Sequence, residues 1–582
     1  HDRVRETLVA GLVEKQAQSV HQRIAESLEP LLEAEEPLSE HVYAVAHHWH
    51  SAKPSGKERH VFAACMRAGT LAYSSYGYQQ AHHFYGAAAE VATSAGIDLS
   101  ASDQLCMAEA AAYQDASKEA LERFDFVCRE AKEPRLRSLG HLGLARMHLT
   151  WVDTARSIEE ALHCLEVLGK RPPRNGALNW LAALVSHVRG WYRRRWLGPV
   201  LDMSAEERER ESTQAQAYLE LALNHYYDLA SPKVLRAALH MSGLVARLGR
   251  CRENTEWGLL MQGAASALRR PKLAKRFRLA AGDEAQDPIE TARSCLYRGM
   301  FAGMLGEFDS SERQLIDCLA TYEALYQPLD YYSGVGCLAW SLLMRGNMSE
   351  AWRVVERTLQ LEDVGGKQGG HSYRYYAATL LALQGREEEG RAYLEEERSA
   401  KHGRWGQGQR LGHTLLFQAV CGVLGPDFDA QVEDYLALGI NAKRMPFTMR
   451  HGFLSIGYCL RIKYAQGEAL AKESALRKTR ELMPKVRSST KGFPVLMAHR
   501  AILEASYFRA LGHVTKARRL LLQAEEFAHT SRGSWALYEI ERERSALASD
   551  EGDEQQERAH RQRALKIAVQ QKWVTRVKLC RD

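Results

Sequence analysis

The stretch Gly346-Asn347-Met348-Ser349-Glu350-Ala351 follows apolar helical text and opens a second amphipathic run. Its plan recurs in Gly306-Glu307-Phe308-Asp309-Ser310-Ser311, in Gly385-Arg386-Glu387-Glu388-Glu389-Gly390 and in Gly512-His513-Val514-Thr515-Lys516-Ala517. A Gly tolerates positive φ where a helix ends. A small residue five positions later (Ser311, Ala351, Gly390 or Ala517) lets the next helix pack closely on its partner. From Gly306 to Gly346 is 40 residues and from Gly346 to Gly385 is 39. Self-similarity at this period predicts stacked helix pairs, each burying its apolar face against its neighbours.

Upstream, Ala64, Ala68, Leu71 and Ala72 form a stripe at helical spacing. Tyr76-Gly77-Tyr78-Gln79-Gln80-Ala81 then makes a turn, with Gly77 and Ala81 as its small residues, and Phe84, Tyr85 and Ala88 continue beyond it. Small residues facing large aromatics across a hairpin are the packing logic of tetratricopeptide-like repeats. The expected fold is therefore all-α: a tetratricopeptide-like right-handed superhelical solenoid of antiparallel helix pairs, with almost no sheet. Residues 37–170 read as a first repeat group and 213–550 as a second. Arg171-Pro172-Pro173-Arg174-Asn175-Gly176 breaks the rhythm. The spacer over 171–212 carries Trp180, Leu184, Val188 and Trp191 on one face and ends in Tyr192-Arg193-Arg194-Arg195-Trp196. That Trp face is expected to pack on the solenoid, with the arginines solvated or against another domain. Residues 551–582 read as a charged C-terminal helix.

The chain has 582 residues, too many for one core. A net charge of +6 spread over this length does not argue for nucleic acid. Eleven Cys stand singly, without CxxC or Cys/His zinc spacing, so a reduced, cytosolic setting is expected. No apolar run reaches membrane-spanning length. The chain starts at His1 within an amphipathic segment, which reads as a piece of a longer protein.

Catalytic patterns are missing. Gly365-Gly366-Lys367 is followed by Gln368 where a phosphate-binding loop needs Ser or Thr, so it reads as a plain loop. His47 and His50 have the spacing of a helical metal pair, with His48, His82 and His83 nearby, but no carboxylate or Cys accompanies them. Packing and surface roles are the preferred reading. The Glu runs at 387–389 and 395–397 read as solvated helix faces. The basic run from Arg269 to Arg278 reads as a linker. No catalytic, cofactor-binding or metal residue is assigned.

Two N-terminal segments carry a resemblance: His1-Asp2-Arg3-Val4-Arg5, and Val20-His21-Gln22-Arg23-Ile24-Ala25-Glu26. They resemble the junction that closes a winged-helix element (here 1–36) behind the nucleotide-binding domain of bacterial STAND-type (AAA/NB-ARC-like) multidomain signalling ATPases. Val45-Ala46-His47-His48-Trp49 and the repeat from Arg67-Ala68-Gly69 to Tyr85 extend the likeness. Val20 stands where Leu is commoner. The likeness is specific over 1–90 and generic beyond. It implies a regulatory arm of a protein that also carries serine/threonine kinase, histidine kinase or nucleotide cyclase domains. ATP and Mg²⁺ would belong to the parent protein, and no cofactor is expected in this segment. The expected partners are a protein or small-molecule effector in a concave groove, and an ATPase domain of the same protein. A helical-repeat nucleic-acid binder is the alternative, and an enzyme with a site in the groove ranks last.

Overall fold

The computed structural model describes residues 13–33, 38–114, 117–150, 153–267, 270, 272–273, 275–277, 288–305, 307–325, 328–365, 372–398 and 403–581. Among these residues all regular structure is helical and no strand occurs. Within the basic run at 269–278, positions 269, 271, 274 and 278 fall outside the described residues, as do His1–Leu8, Gly306 and 366–371. No described helix is long and apolar enough to cross a membrane. All eleven cysteines are free thiols. The chain divides into two compact units: residues 1–148 with 156–172, and residues 149–155 with 173–582.

The first unit runs through α1 (Glu14–Leu28), α2 (Ser39–Ala52), α3 (Glu58–Ser74), α4 (Tyr78–Ala95), α5 (Ala101–Ala112), α6 (Ser117–Glu130), α7 (Pro134–Thr150) and α8 (Thr154–Val167). Helices adjacent in sequence pack together, with α3 against α4 the tightest hairpin. Gly69 makes this approach possible, because a Cβ there would lie 2.5 Å from the Tyr85 ring. Ala68, Ala72, Ala81 and Ala88 are fully buried beside Phe84 and Tyr85. At the turn the left-handed residue is Tyr76 (φ 62°), while Gly77 has a negative φ of −79°. A capping box opens α5: Ser100 Oγ accepts from the Asp103 amide at 3.1 Å, and the Asp103 carboxylate accepts from the Ser100 amide at 2.9 Å.

The second unit contains α9 (Gly176–Tyr192), α10 (Ala205–Tyr227), α11 (Ser231–Leu248), α12 (Arg252–Ala267), α13 (Pro288–Leu305), α14 (Phe308–Ala324), α15 (Pro328–Arg345), α16 (Met348–Gly365), α17 (Ser372–Leu383) and α18 (Glu387–Arg398). It continues with α19 (Arg404–Cys421), α20 (Phe428–Ala437), α21 (His451–Gln466), α22 (Ala469–Thr490), α23 (Pro494–Ala510), α24 (Val514–Ser531), α25 (Ser534–Asp550), α26 (Glu554–Gln570) and α27 (Val574–Arg581). Most helices pair with the next, α9 reaching past α10 to α11 and α20 packing back on α19, and α15, α17, α19, α21, α23 and α25 stack in order as an inner row. This is an all-α solenoid of helix pairs.

The inner row curls back on itself. α15 touches α23 and α25, and α27 touches α17 and α19. The turn glycines receive this closure. Gly346, Gly385 and Gly422 all have positive φ, and a Cβ on them would meet the Trp535 amide (2.8 Å), Val574 (2.8 Å) and Leu579 (3.2 Å) respectively. These glycines thus serve both the turn and the close approach of the C-terminal helices. Trp535, Tyr538 and Trp573 are buried in the same core as Leu338, Leu383 and Leu416. The open concave surface expected from the sequence is therefore filled along this stretch by the chain's own helices.

The spacer helix differs from its expectation. Asn179, Ala183 and Gly190 form the buried face of α9, which packs on α11. A Cβ on Gly190 would lie 2.4 Å from the Ser242 carbonyl oxygen. Polar contacts supplement this small-residue face: Ser186 Oγ donates to the His240 carbonyl at 2.7 Å, and His240 Nε2 meets Asn179 Oδ1 at 2.7 Å. Leu184, Val188 and Trp191 are instead exposed, Val188 by 60%. Arg194 is not solvated either. It lies over the Trp257 ring at 3.9 Å and donates to Ser242 Oγ at 2.6 Å. The apolar pattern misled because small residues let two backbones approach more closely than a Trp face permits.

Candidate functional site

The repeat-turn residues are structural in their placement. Gly346, Gly385 and Gly512 have φ of 84°, 82° and 78°. Ala81, Ser311, Ala351 and Ala517 are buried against neighbouring helices. Ser311 Oγ donates to the Gly299 carbonyl at 2.6 Å, tying α14 to α13. A Cβ on Gly390 would lie 2.6 Å from the Ala378 carbonyl oxygen, so α18 rides directly on α17. Ala81, Ser311, Ala351, Gly390 and Ala517 face packed neighbours, not a space that a ligand could enter.

Such a space occurs elsewhere in the second unit. A cavity of about 70 Å³ lies among α10, α13, α15, α17 and α19. Tyr226, Tyr227, Tyr332, Tyr376 and Trp405 supply aromatic walls, and Met300, Gly336 and Cys337 the smaller surfaces. Helical spacing explains the convergence: Tyr332, Ser333, Gly336 and Cys337 project from one face of α15, and Trp405 and Gln409 are one turn apart on α19. The Trp405 ring stands edge-on to Tyr227, with centroids 5.3 Å apart.

Three polar atoms of the lining have no hydrogen-bond partner among the described residues: Tyr376 Oη, Trp405 Nε1 and Gln409 Oε1. Tyr376 and Gln409 are buried to 0% and 1% exposure. Leaving such groups unpaired costs about 1–3 kcal/mol each, so each calls for a partner. Gln409 is oriented by its own amide, which donates from Nε2 to Thr448 Oγ1 at 3.2 Å, and its carbonyl oxygen is left as an acceptor. The site therefore offers two N–H or O–H donors and one acceptor on an aromatic frame, and no lining side chain carries a charge.

The titratable groups around the cavity are held neutral. Burial pushes the Cys337 thiol up to about 12, which removes the thiolate needed for nucleophilic attack near pH 7. Burial likewise raises the Tyr376 hydroxyl well above the ordinary phenol range, with smaller contributions from Cys337 and Tyr226. The rings of His413 and His451 lie tilted against each other with centroids 4.3 Å apart. Burial holds His413 well below the usual imidazole range and His451 down at about 4. The arrangement suits recognition of a neutral molecule, not acid–base chemistry.

The cavity residues carried no site signal in the sequence; Trp405-Gly406-Gln407-Gly408 reads there as a loop, whereas it forms the first turn of α19. Tyr, Trp and Gln residues spread over four helices carry no spacing signal, and an alternation of aromatics reads as core. The candidate metal pair His47 and His50 separates: His50 Nε2 lies 3.4 Å from Glu90, while His47 sits with His21 and His48. The chain matches no known protein-family model and no curated protein.

Proposed function

We propose that this chain is the regulatory, effector-sensing arm of a multidomain signal-transduction ATPase, and that the aromatic cavity is where the effector is read. The single observation that carries the sensing role is the cavity's three unpaired polar atoms on an uncharged aromatic frame. Two donors and one acceptor complement a carbonyl beside an N–H, so the fitting ligand is a small, flat, neutral amide or lactam. The uncharged lining supports such a ligand over a phosphate chain, and so weighs against the nucleic-acid reading. The link to an ATPase rests on the N-terminal likeness.

The placement of the cavity supports a mechanism of this kind. Its walls come from α10 and α13, early in the second unit, and from α15, α17 and α19 in the curled row. A ligand bridging Tyr376, Trp405 and Gln409 stabilises one arrangement of these helices over another. It shifts the arm only by its difference in affinity for the two arrangements.

Benzamide is a suitable probe, with benzoate as its charged counterpart. Benzamide is expected to quench Trp fluorescence saturably, and Gln409→Leu or Tyr376→Phe to weaken it about tenfold per lost hydrogen bond. Equal binding of benzoate, or unchanged binding in Gln409→Leu, would sink the sensing reading. The ATPase link is tested by the full reading frame: coding sequence upstream of residue 1 without a nucleotide-binding P-loop would end it.

A further inference from the structure

The first unit holds a second cluster. His21 on α1 and His47 and His48 on α2 bring one ring nitrogen each within 4.8 Å of one another. His21 Nδ1 and His48 Nδ1 are 2.7 Å apart. The ring centroids stand 5.0 Å (His21–His48), 5.9 Å (His21–His47) and 5.2 Å (His47–His48) from each other. From the geometry we infer that His21, His47 and His48 form a binding site for an imidazole-preferring divalent metal ion of the Zn²⁺ type.

The distances decide the plausibility. Nitrogens bound tetrahedrally at about 2.0–2.1 Å from Zn²⁺ lie about 3.3 Å from one another. The closest pair is about 0.6 Å shorter than that and the others at most about 1.5 Å longer, so small side-chain rotations bring all three into place. A direct Nδ1–Nδ1 contact at hydrogen-bond length already requires one ring to present a lone pair to the other, which is the form a metal takes up. Three neutral imidazoles without a carboxylate favour Zn²⁺, Cu²⁺ or Ni²⁺ over Mg²⁺ or Ca²⁺. His47 is exposed and the other two half-buried, so ions can enter and water can complete the coordination.

The neighbouring imidazoles are engaged elsewhere. His50 faces Glu90, and His60 Nε2 is paired with Glu29 at 2.6 Å. The set is thus defined by three residues from two helices. An ion there would staple α1 to α2 across residues 29–38, fixing the first helical hairpin in register.

The test uses the tag-free full chain, stripped with chelator and titrated with ZnCl₂ against a chromophoric competitor. One Zn²⁺ per chain is expected, with Co²⁺ giving the visible absorption of a tetrahedral site. His47→Gln, at an exposed position that leaves the fold intact, is expected to weaken binding at least tenfold. The pair His21→Gln with His48→Gln is expected to abolish it, and His50→Gln to change nothing. Less than stoichiometric metal in the parent chain, unchanged affinity in His47→Gln, or an equal loss in His50→Gln would each overturn the assignment.

Discussion

Glu539→Gln is expected to open the closure of the second unit. Glu539 is 1% exposed on α25, between Arg461 of α21 and Arg576 of α27, which is itself 2% exposed. Arg542 stands 3.7 Å away, and Trp535 Nε1 donates to the same carboxylate at 3.3 Å. Burial alone raises the carboxyl, but Arg576, then Arg461 and Arg542, outweigh it and hold the group well below the usual carboxylate range. Gln keeps the shape and removes the charge, so the buried Arg576 guanidinium loses its counter-ion and Arg461 keeps only Glu543, 3.6 Å away. Breaking a buried pair this way costs about 3–5 kcal/mol. Arg576→Met leaves Glu539 still paired with Arg461 and is expected to cost roughly 1–2 kcal/mol less. Hydrogen exchange, read segment by segment, is the suitable assay. Protection should fall first in 534–581, then in the helices these touch, α17 and α19, and least in the first unit. If Glu539→Gln loses no more protection than Arg542→Ala, whose side chain is 35% exposed, the carboxylate does not hold the closure.

Acid should destabilise the second unit before its carboxylates protonate. Burial lowers His225, His240, His451 and His499 to about 4 from an unfolded value of 6.5. These groups stay neutral in the fold and protonate on unfolding, so stability is lost as pH falls from about 6.5 towards 4. One such shift is worth on the order of 3 kcal/mol, and a flat denaturation midpoint between pH 7 and 5 would refute it. Ala351→Glu should damage the repeat around residues 330–395 by several kcal/mol, because Ala351 is fully buried, whereas Glu350→Ala on the exposed face should stay within about half a kcal/mol. Equal exchange in the two variants would mean that the hairpin packs differently. Gly190→Ala should separate α9 from α11 at a cost of about 1–3 kcal/mol, seen as a lower melting temperature, since the obstructing atom belongs to the Ser242 backbone and cannot swing away. An unchanged melting temperature would contradict the close packing.

Local chemistry determined the class of this protein. A residue with positive φ at 346, 385 and 512, and a small residue five positions on, are demands that one turn makes on its own sequence, so the helix pairs were legible without the fold. The capping box at Ser100 and the Gly69–Tyr85 complement are equally local. The closure was not legible, because nothing near Gly346 or Gly385 states that Trp535 or Val574 will lie against it nearly two hundred residues later. The direction of α9 was hidden for a related reason: the helix is held by Ala183, Gly190 and Ser186, whose use depends on a partner backbone. Both candidate sites depend on that same long-range packing. His21 meets His48 only once α1 lies along α2, and Tyr376, Trp405 and Gln409 share a cavity only once the inner row has curled. Period and turn chemistry act over five to forty residues and are written in the chain, whereas a cavity is the space that several distant helices fail to fill, and only their packing decides where that is.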